Sequence, residues 1–264
     1  MNNCFKDVKN SKKSKIKLIL SQVSVFILFL FVWELLARLK IIDEFLFSKP
    51  TTIFALLVQY IKSREIFIHI GISLYETILG IVIGSGLGIL IAILLWSSKK
   101  VSDLLEPFLV VLNALPKTAL APIMIIWAGT GVSGIVVVAI SILLIITIIS
   151  TYNYFINVDE EKIKMLLSFK ATRFQLFTKL IFPYNLVNII NVIKINIGMA
   201  WVGVIVGEFL VSRAGIGYLI MYGGQVFKLD LVMMGVFVLA ICAFGMWKIV
   251  DWLEKYLLKK KVNW

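Results

Sequence analysis

Long apolar runs alternate with short polar segments along most of this chain. A helix that crosses the hydrocarbon core of a bilayer needs roughly 20 predominantly apolar residues, and six runs approach or exceed that length. The pattern therefore predicts an all-α membrane protein with six transmembrane helices. They are expected at approximately residues 18–37, 71–95, 105–127, 132–151, 184–207 and 232–253.

Residues 152–183 interrupt this pattern in an unusual way. They contain five Lys or Arg residues, yet apolar side chains recur at helical spacing, namely Ile163, Leu166, Leu167, Phe174, Phe177 and Ile181. A simple solvated connector would not need an apolar helical face, so the segment is predicted to dock against something. On the residues alone, an anionic membrane surface and a partner protein are both open as its target.

Local signals divide the segment into two helices. Asp159 is a favourable N-cap, and the acidic residues that follow it suit the positive end of a helix dipole. This predicts a helix at about 159–170. Thr172 with Gln175 three positions later is a capping-box pattern, which predicts a second helix leading to Pro183.

Composition and charge agree with a membrane protein. Hydrophobic residues make up 60% of the chain, and the mean hydropathy of +0.97 excludes an ordinary soluble domain. The net charge of +12 follows the positive-inside rule better than it fits a nucleic-acid binder. With the N-terminus inside, 17 basic residues fall on cytoplasmic segments and seven on outer ones. Both termini and residues 152–183 are therefore predicted to be cytoplasmic.

The same pattern sets the domain organisation. Residues 1–17 form a basic cytoplasmic N-terminus, 18–253 a six-span domain, and 254–264 a basic cytoplasmic tail. The first apolar run is read as an uncleaved span rather than a signal peptide, because no small-x-small cleavage site follows it. The protein is expected in the cell membrane as a multi-pass protein.

Other features concern packing and the chemistry that the chain lacks. Gly80, Gly84 and Gly88 form a four-residue ladder that predicts close approach of another helix. Residues 50–63, which begin at Pro50, read as an amphipathic helix lying on the membrane surface. The glycine-rich run GSGLG at 84–88 is not a phosphate-binding loop, because the chain contains no G-x-x-x-x-G-K-[ST] motif. With two distant cysteines and one histidine, no metal site, cofactor or catalytic residue is predicted.

Two prolines interrupt the third apolar run. Pro116 and Pro122 each remove a backbone donor from a helix, and broken membrane helices are tolerated where they are buried in protein or line a wet cavity. A packing kink and a role in a translocation path are both open. Lys117, between them, is expected to extend toward a membrane interface.

The order of these features resembles the membrane-spanning permease subunits of bacterial ABC importers, in the group that serves sulfonates, nitrate and taurine. The likeness rests on ALPKTALAPIMIIWAGTG at 114–131, on the cytoplasmic loop at 152–183, and on IKINIGMAWVGVIVGEFLVSRAGIGYLI at 193–220. It covers roughly residues 15–255, and the six-span order completes it.

The resemblance implies an importer of a small solute, of the sulfonate, nitrate, taurine or vitamin-precursor class. A separate cytoplasmic ATPase would hold the coupling helix, a substrate-binding protein would deliver cargo from outside, and two copies of the chain would form a homodimer in the lipid bilayer. No catalysis and no nucleic-acid partner are implied. ATPase contact is expected for Lys164, Met165, Leu166, Leu167, Phe169, Lys170 and Ala171.

A translocation-path role is a weaker expectation for Pro116, Pro122, Asn196, Trp201 and Glu208. For Glu208, lining the pathway and orienting the outer loop are both open, and an ordinary interfacial carboxylate at a helix end is the competing interpretation. An ion-gradient-driven transporter or channel is the alternative function, because such proteins place ionisable residues in mid-span.

One departure from the family pattern lies in the coupling loop. The family usually has Glu-Ala-Ala followed some residues later by glycine, and these positions fall on Lys164, Met165, Leu166 and Lys170 here. Without the glycine, the turn at 170–171 is expected to be strained if its φ angle is positive.

Overall fold

The chain folds into helices throughout the part that the computed structural model describes. That part is residues 2–262, with the side chains of residues 17–256 apart from residue 19; Met1 and residues 263–264 of the predicted terminal segments lie outside it. The helices are α1 Asn2–Arg38, α2 Glu44–Phe47, α3 Pro50–Lys62, α4 Glu65–Ser97, α5 Lys99–Ala114, α6 Lys117–Ala128, α7 Val132–Ile156, α8 Glu160–Ser168, α9 Arg173–Leu176, α10 Phe182–Val211, α11 Ile216–Gln225 and α12 Leu229–Val262.

Five long apolar segments and one bent helix pair correspond to the six predicted spans. The single segments are Leu20–Arg38, Glu65–Ser97, Val132–Ile156, Arg173–Val211 and Leu229–Tyr256. The third predicted span is instead α5 followed by α6, which meet at an angle of 99°. The break falls at Leu115 and Pro116, whereas Pro122 lies inside α6 without ending it.

Glycine contacts show how α4, α7 and α10 run relative to one another. Residue numbers rise together where α4 meets α7, since Gly80 faces Ala139 and Gly88 faces Thr147. Residue numbers rise along α10 and fall along α7 where these two helices meet, since Gly203 of α10 faces Ala139 and Gly207 faces Ile135. α4 and α7 are therefore parallel, and α10 is antiparallel to both. The bent pair α5–α6 must carry the chain back between α4 and α7, so it serves as one span.

The glycine ladder on α4 is the close helix contact that the sequence predicts. A Cβ atom added to Gly80 would lie 3.0 Å from Ala139 Cβ, and one added to Gly88 would lie 2.7 Å from Thr147 Cβ. Small residues at a helix interface bring the two backbones together and increase dispersion contact, which drives helix association within lipid. α7 is consequently held between two glycine-bearing helices.

A second group of contacts joins α1, α3 and α12. Glu34 of α1 accepts hydrogen bonds from Thr51 at the start of α3, through its N–H at 3.2 Å and its Oγ1 at 3.0 Å. Ser48 Oγ donates to Asp230 Oδ1 at 2.5 Å, and Ile53 of α3 is buried with Met234 of α12. The helix expected at residues 50–63 is present; its place on the membrane surface stays a prediction.

The α4–α7 contact makes a direct stability prediction. Gly84→Val should lower the free energy of unfolding by about 1–3 kcal/mol, because the valine side chain would overlap Leu143 of α7. The melting temperature of the purified protein should fall accordingly. Gly86→Val is the matched control, since a Cβ atom there meets nothing within 4 Å. Equal melting temperatures for the two variants would contradict the packing described here.

Candidate functional site

The polar segment after α7 begins with a well-capped short helix. Asp159 accepts a hydrogen bond from the Glu161 N–H at 3.0 Å, and the exposed Lys164 pairs with Glu160 one turn earlier at 2.9 Å. Acidic residues in the first turn also complement the helix dipole. These local terms favour α8 at Glu160–Ser168, close to the helix that the sequence predicts.

α8 ends in a Schellman motif with lysine at the position where glycine is usual. The Lys170 N–H donates to the Leu167 carbonyl at 2.9 Å, and the Ala171 N–H donates to the Leu166 carbonyl at 3.3 Å. Lys170 has φ +55°, a left-handed conformation that side chains disfavour. Lys170 therefore has the positive φ angle for which the sequence predicts strain in the turn at residues 170–171.

The next turn follows the predicted capping box. Gln175 N–H donates to Thr172 Oγ1 at 3.2 Å, and Thr172 N–H donates to Gln175 Oε1 at 2.9 Å. A π-helical turn at Phe177–Ile181 then joins α9 to α10. Because the helical path is continuous, α9 and α10 are mechanically linked.

An apolar cluster attaches α8 and α9 to the transmembrane helices. Phe155 of α7, Leu176 of α9 and Ile189 of α10 are buried in it, and Leu166 of α8 packs against it. Phe177 adds aromatic contacts, with its ring 5.0 Å from Trp96 and 5.5 Å from Phe155 between centroids. Leu166 thus faces this subunit's own core.

The remaining predicted contact residues form an exposed surface. Met165 is 57% exposed, Leu167 50% and Phe169 77%, while the side chains of Lys164 and Lys170 flank them. Ala171 is half-buried in the turn. We call Met165, Leu167 and Phe169 the exposed apolar set. Their contact with a partner stays a prediction.

The five residues predicted for a translocation path are not brought together. Pro116 and Pro122 lie exposed along α5–α6. Asn196 is buried and donates through Nδ2 to Ser85 Oγ and Thr147 Oγ1, both at 2.8 Å, so it ties α10 to α4 and α7. Trp201 is buried in the cluster with Met234. Their pathway role stays a prediction.

Glu208 lies at the opposite end of the bundle from α8 and is almost wholly buried. It accepts hydrogen bonds from Ser73 Oγ of α4 and from the Gly217 N–H of α11, both at 2.5 Å. The chain between α10 and α11 is held further by His69, whose Nδ1 accepts from the Gly215 N–H at 3.0 Å. Orienting this loop is one of the two roles that the sequence leaves open for Glu208.

The close approach of the loop to Glu208 requires glycine at position 215. Its φ is +119°, and a Cβ atom there would overlap the Glu208 carboxylate. The sequence does not mark Ser73 and His69 as members of the site, because each is distant from Glu208 in sequence and has no unusual neighbours. The four-residue spacing of His69 and Ser73 on α4 is the only local signal that places them on one face.

Lys194 and Glu34, two charged residues within the membrane-spanning helices, each form an ion pair. Lys194 of α10 forms ion pairs with Asp251, at 3.0 Å, and with Glu254, both on α12. Glu34 pairs with Arg38 at 2.7 Å. The Lys194 pairs tie α10 to α12, whereas the Glu34–Arg38 pair lies within α1.

Comparison with known proteins decides the family. The profile of the binding-protein-dependent transport system inner membrane component family matches residues 84–263. This chain belongs to that family. It is therefore the non-catalytic, multi-pass membrane subunit of an ABC transporter, here called the permease.

Relatives and a solved structure agree with the family. The permease is 31% identical to a putative aliphatic sulfonates transport permease of Bacillus subtilis, over 88% of this chain and 83% of that protein. It is 28% identical to the formylaminopyrimidine transport permease of Halalkalibacterium halodurans, over 73% and 76%. The MetNI methionine ABC transporter, solved in inward-facing conformations, shares the fold, with a TM-score of 0.57 at 15% identity over 75% of this chain and 97% of that one.

The turn at Lys170 supplies a test of local stability. Lys170→Gly should stabilise α8 by roughly 0.5–1 kcal/mol, because glycine adopts positive φ without a Cβ penalty. This stabilisation should appear as slower hydrogen–deuterium exchange of the α8 amides. Lys164→Gly is the control, and it should speed exchange because glycine inside a helix costs about 1 kcal/mol. Faster exchange in Lys170→Gly would contradict the strain argument.

Proposed function

We propose that the permease is part of an ATP-driven importer of a small organic solute and that α8 is its docking element for a cytoplasmic ATPase. The observation that carries the proposal is the exposed apolar set on a short helix outside the bundle. Met165, Leu167 and Phe169 project from a segment otherwise rich in charge. Exposed apolar side chains clustered within a polar segment are typical of a protein contact.

The attachment of α8 supports transmission of force as well as docking. Leu166 and Ile163 anchor its inner face on the cluster around Phe155 and Leu176. Lys162 Nζ lies 4.6 Å from the centre of the Tyr184 ring of α10. A displacement of α8 by a partner would therefore act on α7 and α10 rather than on a loose loop.

Orientation is also part of the proposal. The topology with α8 and both termini in the cytoplasm is supported by seventeen basic residues on one set of connecting segments against seven on the other. An ATPase is available only on that side. The end of the bundle that carries Glu208 would then face outward, toward the substrate-binding protein.

Two copies of the permease are proposed to form the pathway as a homodimer. A two-fold dimer is the commonest symmetry of homo-oligomers, and a pathway between two copies would use surfaces that remain exposed in one copy. Pro116, Pro122, Ile126 and Trp127 on α5–α6 are such exposed residues. Asn196 and Trp201 are buried within one copy, against α4 and α7 and in the cluster with Met234 respectively, so they do not form part of this exposed surface.

The proposed cargo is an aliphatic sulfonate or a compound of the vitamin-precursor class. Two relatives are named for transport of aliphatic sulfonates and of formylaminopyrimidine. Selectivity between such solutes is expected to come mainly from the external binding protein.

Reconstitution tests the proposed function. The permease should be placed in vesicles with the ATPase and binding protein encoded beside it, and uptake of labelled alkanesulfonate and formylaminopyrimidine measured. Uptake should require ATP and persist when ion gradients are dissipated. Uptake that continues without ATP but stops with the gradient would overturn the proposal in favour of a secondary transporter.

The docking role predicts the effect of a single truncation. Phe169→Ala should weaken binding of the ATPase by roughly tenfold or more, because it removes the most exposed aromatic group of the proposed interface. Phe26→Ala is the matched control, since Phe26 is 54% exposed on α1 and far from α8 in sequence. Affinity can be measured by interferometry with the permease in nanodiscs. Unchanged affinity for Phe169→Ala would count against α8 as the docking element.

A further inference from the structure

A cleft lies between the segment formed by α8 and α9 and the ends of the transmembrane helices. It has a volume of about 410 Å³, and its wall is formed by residues from the last turns of α4 and α7, the start of α5, and α8 and α9. The polar side chains on this wall are Lys99, Asp103, Tyr152 and Arg173, and the rest of the wall is apolar. The cleft is therefore a mixed site with a few polar groups on an apolar frame, as is usual for ligand sites.

Two hydrogen bonds between helices hold polar side chains at this cleft. Arg173 of α9 donates through Nη1 to the Ser97 carbonyl at the end of α4, at 3.2 Å. Ser102 Oγ of α5 donates to Tyr152 Oη of α7 at 2.5 Å. Neither bond uses all the donors of its side chain, because a guanidinium has five N–H groups and the Tyr152 hydroxyl keeps its own proton. Donors fixed by the fold thus remain for a ligand.

The charges on the wall favour an anion. Lys99 and Arg173 are cationic and Asp103 is anionic, so the wall carries one net positive charge. Among the residues whose side chains the structure describes, none of these three forms an ion pair. A guanidinium, an ammonium and a hydroxyl together match the oxygens of a phosphate group, which accepts charge-assisted hydrogen bonds from such donors.

The position of the cleft indicates that this phosphate belongs to a lipid. α4 ends at Ser97 and α5 begins at Lys99, so the cleft opens where two apolar segments meet, at the level of lipid headgroups. Val101, Leu104 and Phe108 follow on α5 at helical spacing and are exposed. They offer an apolar surface to acyl chains directly beside the cleft, which a soluble anion would not use. Basic pockets between transmembrane helices are known sites for anionic headgroups.

We propose that this cleft binds the phosphate of an anionic phospholipid, for which phosphatidylglycerol is the probe. Lys99, Arg173 and Tyr152 contact the phosphate, and the acyl chains lie along the exposed stripe of α5. The bound lipid braces α8 and α9 against α4, α5 and α7, because its phosphate bridges side chains from α5, α7 and α9. The inference depends neither on the cargo nor on contact between α8 and an ATPase.

A pair of double variants with equal loss of charge tests the site. Lys99→Gln/Arg173→Gln should weaken binding of phosphatidylglycerol to the purified full-length permease by roughly tenfold or more, because two charge-assisted contacts are lost. Lys100→Gln/Lys179→Gln is the matched control, since both lysines are exposed and neither lies on the wall of the cleft. Lipid binding can be titrated by native mass spectrometry. Equal weakening in the two double variants would overturn the proposal, because it would reduce the effect to general surface charge.

Asp103→Asn provides a test in the opposite direction. Removing the like charge from the wall should tighten phosphatidylglycerol binding by roughly two- to fivefold. A variant with damaged folding would lose binding, so a gain reports the electrostatics of the cleft itself. Unchanged or weaker binding in Asp103→Asn would contradict the site.

Two further arms test the lipid source and the bracing. Soluble glycerol phosphate should not displace phosphatidylglycerol at equal concentration, and displacement would overturn the lipid in favour of a free phosphate ester. In nanodiscs, phosphatidylglycerol should slow hydrogen–deuterium exchange of the α8 and α9 amides relative to phosphatidylcholine, and Lys99→Gln/Arg173→Gln should lose this slowing. Exchange that is the same in both lipids would overturn the bracing.

Discussion

Close backbone contact around α7 is the constraint on which the rest of the structure depends. Within lipid there is no hydrophobic driving force for helices to associate, so they associate through close van der Waals packing and hydrogen bonds. α4 supplies glycines to one side of α7 and α10 supplies Gly203 and Gly207 to another. With these three helices fixed, Asn196 can reach Ser85 and Thr147 together. The same fixation brings Ser73 of α4 to Glu208 of α10 at the far end of the bundle.

Much of this arrangement could be predicted from local patterns. Apolar runs located the membrane-crossing segments, and the capping signals at Asp159 and Thr172 placed the two short helices because such signals act within four residues. The glycine ladder predicted a close contact but could not name its partner. Register between helices depends on side chains far apart in sequence, so Ala139 and Leu143 were not identifiable beforehand.

The candidate site residues also divide into those predictable from local signals and those that depend on contacts distant in sequence. The strain at Lys170 was foreseeable because one missing glycine acts on its own backbone. The inward direction of Leu166 was not, since the pattern of α8 alone leaves the choice between a core face and a docking face open. Ser73 shows the limit most clearly, because its hydrogen bond to Glu208 forms only when α10 lies beside α4. Hydropathy alone identifies Glu208 only as a rare charge in an apolar helix.

The parallel contact between α4 and α7 has a consequence for biogenesis. α4 is synthesised and inserted well before its partner helix exists, and the face carrying Gly80, Gly84 and Gly88 must meanwhile be filled by lipid tails or by the insertion machinery. Even after α7 arrives, its second face waits for Gly203 and Gly207. The core of the protein therefore closes only when α10 has entered the membrane. Until then, a nascent chain exposes grooves that quality-control proteases of the membrane could distinguish from the finished fold.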